Sequence, residues 1–482
     1  MRKTLKVLLV FFLMFIPTSL ISHIGFIDKT YVSIIINQLL TTVEIVIPVI
    51  LTTVAVGFSL SWIFALYEFP FKKILEKILI LGMIFPSYVL AIFYSEMFGF
   101  TGKLALIGTL VISSLPYVFM LTSIGFKSQS QQFVDAALMF GKNSRWIKMK
   151  VLLPLLTPSL ILSSFIVFGD SFSEFGATYF FGVDTVMTGI YEIWFSLHES
   201  KQGIKFSAWI FLGIIVSYFF ISWWKSSVKK LNSVAGKNIE PLKTEKLEKN
   251  GWLVSTVIFL ITTITFFLPL SLLFEWLFVV YLKADWIRVL KVTFNSISLS
   301  TLIATIVLFI STLLLYLFKK YSFILSTICN TLYSTPGVIL AISMVYVSST
   351  KFLIPFVFLF VLTIKYIGIG VDGISLGLNK IPRQLYYDVK SFGKDSIWYI
   401  KNVQIPLSFK SYLMAGLLIW IDVMRELPIG LTSRPQWLDL VSIEIFRCMD
   451  LEMLSTSSPY ILSMIVSTLI PIYFVNLVVK MK

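Results

Sequence analysis

Two pairs of carboxylates recur in one register along this chain, Asp170 with Glu174 and Asp422 with Glu426. Residues four apart lie one helical turn from each other, so each pair shares a helix face. Each pair also closes a long apolar run, which puts it near a helix end. Oxygen-only donors of this kind suit a hard cation. The same acids can instead pair with Arg425 or Arg434 and hold a closed gate, and gate or structural pairing weighs somewhat more than direct metal contact. No metal ligand set is assigned. Cys329 and Cys448 have no metal spacing, and His23 and His198 are too few for a cluster. No constellation of His, Ser or paired carboxylates in one half supports an enzyme. A GxxxxGK[ST] phosphate loop is absent, since GFTGKL at 99–104 has the wrong spacing. The chain is expected to bind no cofactor of its own.

The elements that position these acids are set by hydrophobicity, with 57% of the 482 residues apolar and 13% charged. A helix needs about 20 apolar residues to cross the hydrocarbon core. Runs of that kind lie near 5–22, 41–66, 76–98, 104–125, 155–174, 206–224, 252–280, 292–318, 322–348, 352–376, 408–428 and 456–478. They are too long for barrel strands and lack sustained alternation. The expected fold is an all-α polytopic membrane protein with about 12 spans. The basic start and apolar core of MRKTLKVLLVFFLMF read as the first span, because no small-x-small cleavage site follows Pro17 cleanly. Pro86 and Pro336, at matching places, are expected to kink their helices.

The net charge of +15 does not point to nucleic acid, because Lys and Arg collect in alternate connections. Examples are Lys72, Lys73 and Lys77, the stretch from Lys142 to Lys150, the tract 225–250, and Lys380 with Arg383. The positive-inside rule makes these cytoplasmic, with both termini inside. The connections 175–205 and 429–455 then fall outside, and Lys283, Arg288 and Lys291 are the exception to the pattern.

Residues 225–250 form the only long polar tract and read as a cytoplasmic linker. On either side of it the sequence repeats. Phe-Gly-Lys occurs at Gly141 and again at Gly393, Trp follows at Trp146 and Trp398, and Pro closes each stretch at Pro154 and Pro406. The offset of 252 residues also carries Asp170 onto Asp422 and Glu174 onto Glu426. With a two-residue slip, FPSYVLAI at 85–92 matches TPGVILAI at 335–342. Two homologous six-helix halves are expected, 1–224 and 251–482, joined by the linker and equally oriented. Within each repeat, Gly supplies a turn few residues tolerate and Pro opens the next span, giving a helix-turn-helix knob. A basic helix lying on anionic lipid would explain either copy alone, but lipid binding does not require a shared internal spacing.

The first copy, Asp135-Ala136-Ala137, then Gly141, then Val151-Leu152-Leu153-Pro154, resembles the EAA loop of bacterial ABC importer permeases, with Asp for the usual Glu. The second keeps Gly393 and Pro406 but has Tyr387-Asp388-Val389 at the triplet, leaving Asp388 to serve from one position along. The resemblance covers both halves and implies a type I importer permease with coupling loops near 127–153 and 379–405. It implies that each loop docks on an ATP-binding subunit, so two copies of that subunit are expected, with ATP used there. It also implies an external solute-binding protein, periplasmic or lipid-anchored, and a place in the bacterial inner membrane. The wording of 174–199 and 422–447 resembles ferric iron (Fe3+) permeases, which implies an iron importer. Thiamine permeases share the fused plan and are the alternative, with other small solutes such as polyamines behind them. The different-class alternative is an ion-coupled secondary transporter, which would need no ATPase.

Overall fold

The computed structural model describes residues 2–127, 129–232, 242–247, 250–347, 353–378, 381–382 and 384–480. The predicted basic residues Lys237, Lys249, Lys380 and Arg383 lie outside the described residues. The chain is a polytopic all-α membrane protein. Among the described residues, six helices are long and apolar enough to cross a membrane: Lys29–Leu66, Gly102–Lys127, Ser144–Ser173, Gly251–Val280, Trp286–Leu317 and Ile354–Leu378. Three bent pairs bring the number to as many as nine by length and composition. The helices Arg2–Ser22, Ser200–Asn232 and Ser458–Lys480 lie on the other three apolar runs.

Several boundaries differ from the sequence expectation. The run expected from 41 begins at Lys29, because the apolar residues from Tyr31 to Leu40 extend the helix toward its N-terminus. The run expected to end at 224 continues as helix through Asn232, into the polar tract read as linker. The runs at 76–98 and 322–348 are broken outright, by 100° and 92°. Proline lacks the N–H that a helix interior needs and drives the residue before it out of the helical region. Accordingly, Phe85 has ψ 117° before Pro86, and Thr335 has ψ 130° before Pro336.

Packing divides the chain into two compact units, each discontinuous in sequence. One gathers 33–189 with 221–280. Its core joins Leu60, Phe64, Leu79, Leu115 and Phe119 to Ile258 of the helix that follows the linker. Helices Lys29–Leu66 and Gly102–Lys127 meet where a Cβ on Gly57 would lie 2.7 Å from Val118, and Ser61 Oγ donates to the Phe119 carbonyl beside it at 2.9 Å. Small residues and interhelical hydrogen bonds are what bring helices together where hydrocarbon supplies no hydrophobic drive.

The other unit gathers 1–32 and 190–220 with 281–482. Here the first helix packs against Ile354–Leu378, with the Phe12 and Phe360 rings edge to face at 4.8 Å. The divisions by sequence repeat and by packing are therefore different, since the opening helix of each half is packed with residues of the other half. Within this unit Gly373 allows Ile354–Leu378 to touch Phe409–Arg425, because a Cβ there would stand 2.6 Å from that of Ala415. Gly373→Val should force the two helices apart and cost about 1–3 kcal/mol, seen as a lowered apparent melting temperature of the purified protein in detergent.

Candidate functional site

The two sequence repeats fold into the same helix-turn-helix knob. Helices Gln131–Met139 and Gln384–Ser391 each end at a left-handed glycine, Gly141 with φ +70° and Gly393 with φ +72°. The backbone N–H groups of Gly141 and Lys142 donate to the carbonyls of Leu138 and Ala137, and those of Gly393 and Lys394 to Lys390 and Val389. This arrangement satisfies helix-end carbonyls. Asn143 Oδ1 then accepts from the Trp146 N–H at 2.8 Å, and Asp395 Oδ1 from that of Trp398 at 2.8 Å, capping the short helices Ser144–Ile147 and Ser396–Tyr399. Lys142 and Lys394 sit over the Trp146 and Trp398 rings at 5.3 and 5.9 Å.

A π-helical turn follows in both copies, Lys148–Leu152 and Ile400–Gln404. Pro154 and Pro406 cannot donate to the carbonyl four residues back, and the preceding turn widens to accommodate this. The knobs present apolar surface at matching positions, with Phe140 81% and Phe392 78% exposed. Large apolar groups left open at the tip of a rigid turn mark a contact surface. Ala137 is buried, Asp135 half-buried and Ala136 exposed, whereas Asp388 is exposed. Gln131 Nε2 donates to Asp135 Oδ1 at 2.8 Å, which fixes that carboxylate on the helix. Beside the second turn a notch of about 200 Å³ is lined by Tyr386, Val389, Lys390, Lys394, Asp395 and Tyr399.

The predicted acids lie where their helices stop. Helix Leu153–Ser173 gives way at Glu174 to the short helix Gly176–Phe180, and Phe409–Arg425 gives way at Glu426 to Pro428–Ser433. Each glutamate does two things. Glu174 Oε1 accepts from the Ala177 N–H at 2.9 Å and Glu426 Oε1 from that of Ile429 at 3.3 Å, so each caps the helix that follows it. Each also faces the start of the second arm of a broken pair. Ser87, which opens Ser87–Phe98, donates to Glu174 Oε2 at 2.5 Å, while a Cβ on Gly337, which opens Gly337–Val347, would lie 2.7 Å from Glu426 Oε1. A helix N-terminus favours a carboxylate there.

Around Glu426 the structure gathers groups that sequence reasoning did not single out. Tyr366 Oη donates to Glu426 Oε2 at 2.5 Å and lies 3.3 Å from the Asp422 carbonyl. Tyr333 Oη lies 3.4 Å from Asp422 Oδ2, and Arg425 pairs with Asp422 Oδ1 at 3.0 Å. Arg434 pairs instead with Asp439 at 3.4 Å. Asp170 is exposed near the end of its helix. Nothing in the spacing of Tyr333 and Tyr366 marks them, but Ser87 and Gly337 directly follow the matched prolines and were readable from that. Among the described residues no group of three or more His, Cys, Asp or Glu could hold a metal ion. An all-oxygen set of carboxylates and phenols can hand on a hard cation without a resident metal centre.

Residues 57–224 match the family described as binding-protein-dependent transport system inner membrane component. The chain is 20% identical over 442 residues, 88% of this chain and 86% of the relative, to an Fe(3+)-transport system permease protein of Haemophilus influenzae. It is 26% identical over 140 residues, 26% of this chain and 50% of the relative, to a sulfate transport system permease protein of Salmonella typhimurium. Glu426→Ala should leave the Tyr366 hydroxyl and the Ile429 N–H without their acceptor and cost about 1–3 kcal/mol. Glu426→Gln, which retains a carbonyl oxygen, should cost less, both read as thermal shifts in detergent.

Proposed function

We propose that this chain, a permease of the binding-protein-dependent transport kind, is the membrane subunit of an ATP-driven importer for ferric iron. The observation that carries the transport reading is the duplicated knob, with its left-handed glycine, capped second helix and exposed Phe at the same three places in each copy. Two rigid apolar tips at one offset suit two like partners, so two copies of an ATP-binding subunit, one per knob, form the engine. ATP is bound and hydrolysed there, and this chain carries no cofactor. An external solute-binding protein, periplasmic or lipid-anchored, delivers the cargo.

The alternation of basic connections supports twelve spans in the bacterial inner membrane, with both termini and both knobs in the cytoplasm. Asp135, Ala136, Ala137, Gly141 and Pro154 in the first knob, and Asp388, Gly393 and Pro406 in the second, form the coupling surfaces. Closure of the ATPase pair moves the knobs, and the knobs move the helices that follow them, Leu153–Ser173 directly and Phe409–Arg425 across the 73° bend after Leu407. Asp170 and Glu174 in one half, and Asp422 and Glu426 in the other, each serve at their own helix break as external gate or substrate contact.

Iron is preferred over other cargoes for two reasons. The relative named for Fe(3+) transport aligns over 88% of the chain, against 26% for the sulfate relative. Carboxylates and phenols at the helix breaks also offer oxygen donors to a hard cation and would repel an anion. The test is uptake of radiolabelled ferric iron by vesicles containing this chain with its ATPase and binding protein. ATP-dependent accumulation supports the reading. Thiamine or a polyamine retained on the cognate binding protein would transfer the same mechanism to that cargo, and uptake driven by an ion gradient without any ATPase would replace it. Gly141→Pro, or a bulky residue at Ala137, should abolish ATP-driven uptake while leaving the protein inserted at its normal level.

A further inference from the structure

The polar tract between the repeats does more than join them. One described segment of it, residues 242–247, runs beside the end of helix Lys29–Leu66 and forms a two-residue parallel bridge, with Tyr67 opposite Glu245 and Glu68 opposite Lys246. The Leu247 N–H continues the bridge by donating to the Glu68 carbonyl at 3.1 Å. This corner is itself anchored. Lys72 Nζ donates to the Tyr67 carbonyl and to Glu68 Oε1, both at 2.8 Å, and Ser255 Oγ donates to the Pro70 carbonyl at 2.8 Å.

From that anchorage the segment reaches both arms of the first knob. On one side the Lys243 N–H donates to Gln131 Oε1 at 2.9 Å, and Gln131 is the buried residue whose amide also holds Asp135. On the other, Lys148, in the π-helical turn, donates to Tyr67 Oη at 3.0 Å, stands 5.0 Å from the centre of the same ring, and pairs with Glu245 at 3.6 Å. Any one of these contacts is weak, and the ion pair in particular reaches an exposed carboxylate. Together they tie the helix before the turn and the helix after it to one short strand. In the second knob Ile400 stands at the position of Lys148, and the lysine of its π-helical turn, Lys401, is one position along.

We infer that residues 242–247 are a brace that sets the position of the first knob, through Lys243 to Gln131 and through Glu245 and Tyr67 to Lys148, and so makes that knob stiffer than the second. The consequence for transport rests on the coupling role proposed above: the two knobs then transmit ATPase motion unequally, the first carrying the linker with it. The brace itself does not depend on that role.

The test is hydrogen–deuterium exchange on the full-length protein in lipid nanodiscs, without ATPase or cargo. Lys148→Met and Glu245→Lys should each speed exchange across 142–152 by roughly tenfold, the scale expected when a hydrogen bond from a charged group is lost. Exchange across 394–404 should stay unchanged. The charge-reversed double variant, Lys148→Glu with Glu245→Lys, should regain part of the protection, which a merely misfolded knob would not do. Unchanged exchange at 142–152, or equal loss in both knobs, would overturn the brace. Altered exchange in a protein that fails the iron uptake test would leave the brace standing and remove the proposed function instead.

Discussion

A peptide group in hydrocarbon has no water to turn to, so every place where a spanning chain stops being a helix must bring its own hydrogen-bond partners. The protein has matched breaks of this kind, and the same solution appears at each. Where Leu153–Ser173 and Phe409–Arg425 end, a glutamate supplies the acceptor for the next helix, Glu174 for the Ala177 N–H and Glu426 for that of Ile429. Where a neighbouring helix breaks at Pro86 or Pro336, the glutamate lies against the first residue of its second arm. A single carboxylate thus serves two interruptions. That explains why the acid recurs at the offset of 252 and why Gly stands at 337, where a side chain would strike it.

The knobs obey a related rule outside the apolar region. Each must turn sharply, expose an apolar tip and still satisfy the ends of two helices. A left-handed glycine, an Asn or Asp cap and a cation over Trp accomplish this within 141–146 and again within 393–398. The two copies conserve this internal scaffold and differ at its attachments, where Lys148 meets the linker strand and Ile400 does not. Geometry has been kept where the turn demands it, and the contacts around it differ, with the linker strand at the first copy and Lys319 over the Tyr386 ring at 5.5 Å at the second.

Much of this was legible in the sequence. Gly141, Gly393, Pro154, Pro406 and the two carboxylate pairs stand out by spacing, since a positive φ or a missing N–H leaves few residue choices. The breaks at Pro86 and Pro336 were legible as kinks but not in size, because a proline fixes one dihedral and the packing around it fixes the bend. Tyr333 and Tyr366 were invisible, as they reach Asp422 and Glu426 from helices far away in sequence, and an aromatic residue in an apolar run carries no mark of its purpose. The exchange of opening helices between packed units was equally hidden, since periodicity says that a helix is buried and not against what. The tract 225–250 reads as a cytoplasmic linker but its strand is not legible, because two residues of strand pairing leave no pattern.

The double duty of the glutamates bears on how a cation could pass them. An ion that takes an oxygen of Glu426 must compete with the Tyr366 hydroxyl and the Ile429 N–H, both already bound there. Leaving such groups unpaired costs about 1–3 kcal/mol each, comparable to one or two decades of affinity. If Glu426 engages cargo, that engagement is opposed by the integrity of the helix break and becomes favourable when the break itself rearranges. On the coupling role proposed above, a gate built this way would stay shut around an empty path and would yield when helix Phe409–Arg425 is moved from its far end. The carboxylate that closes the backbone would then be the same one that meets the cargo, and under the proposed coupling motion of the knob would decide which of the two it does.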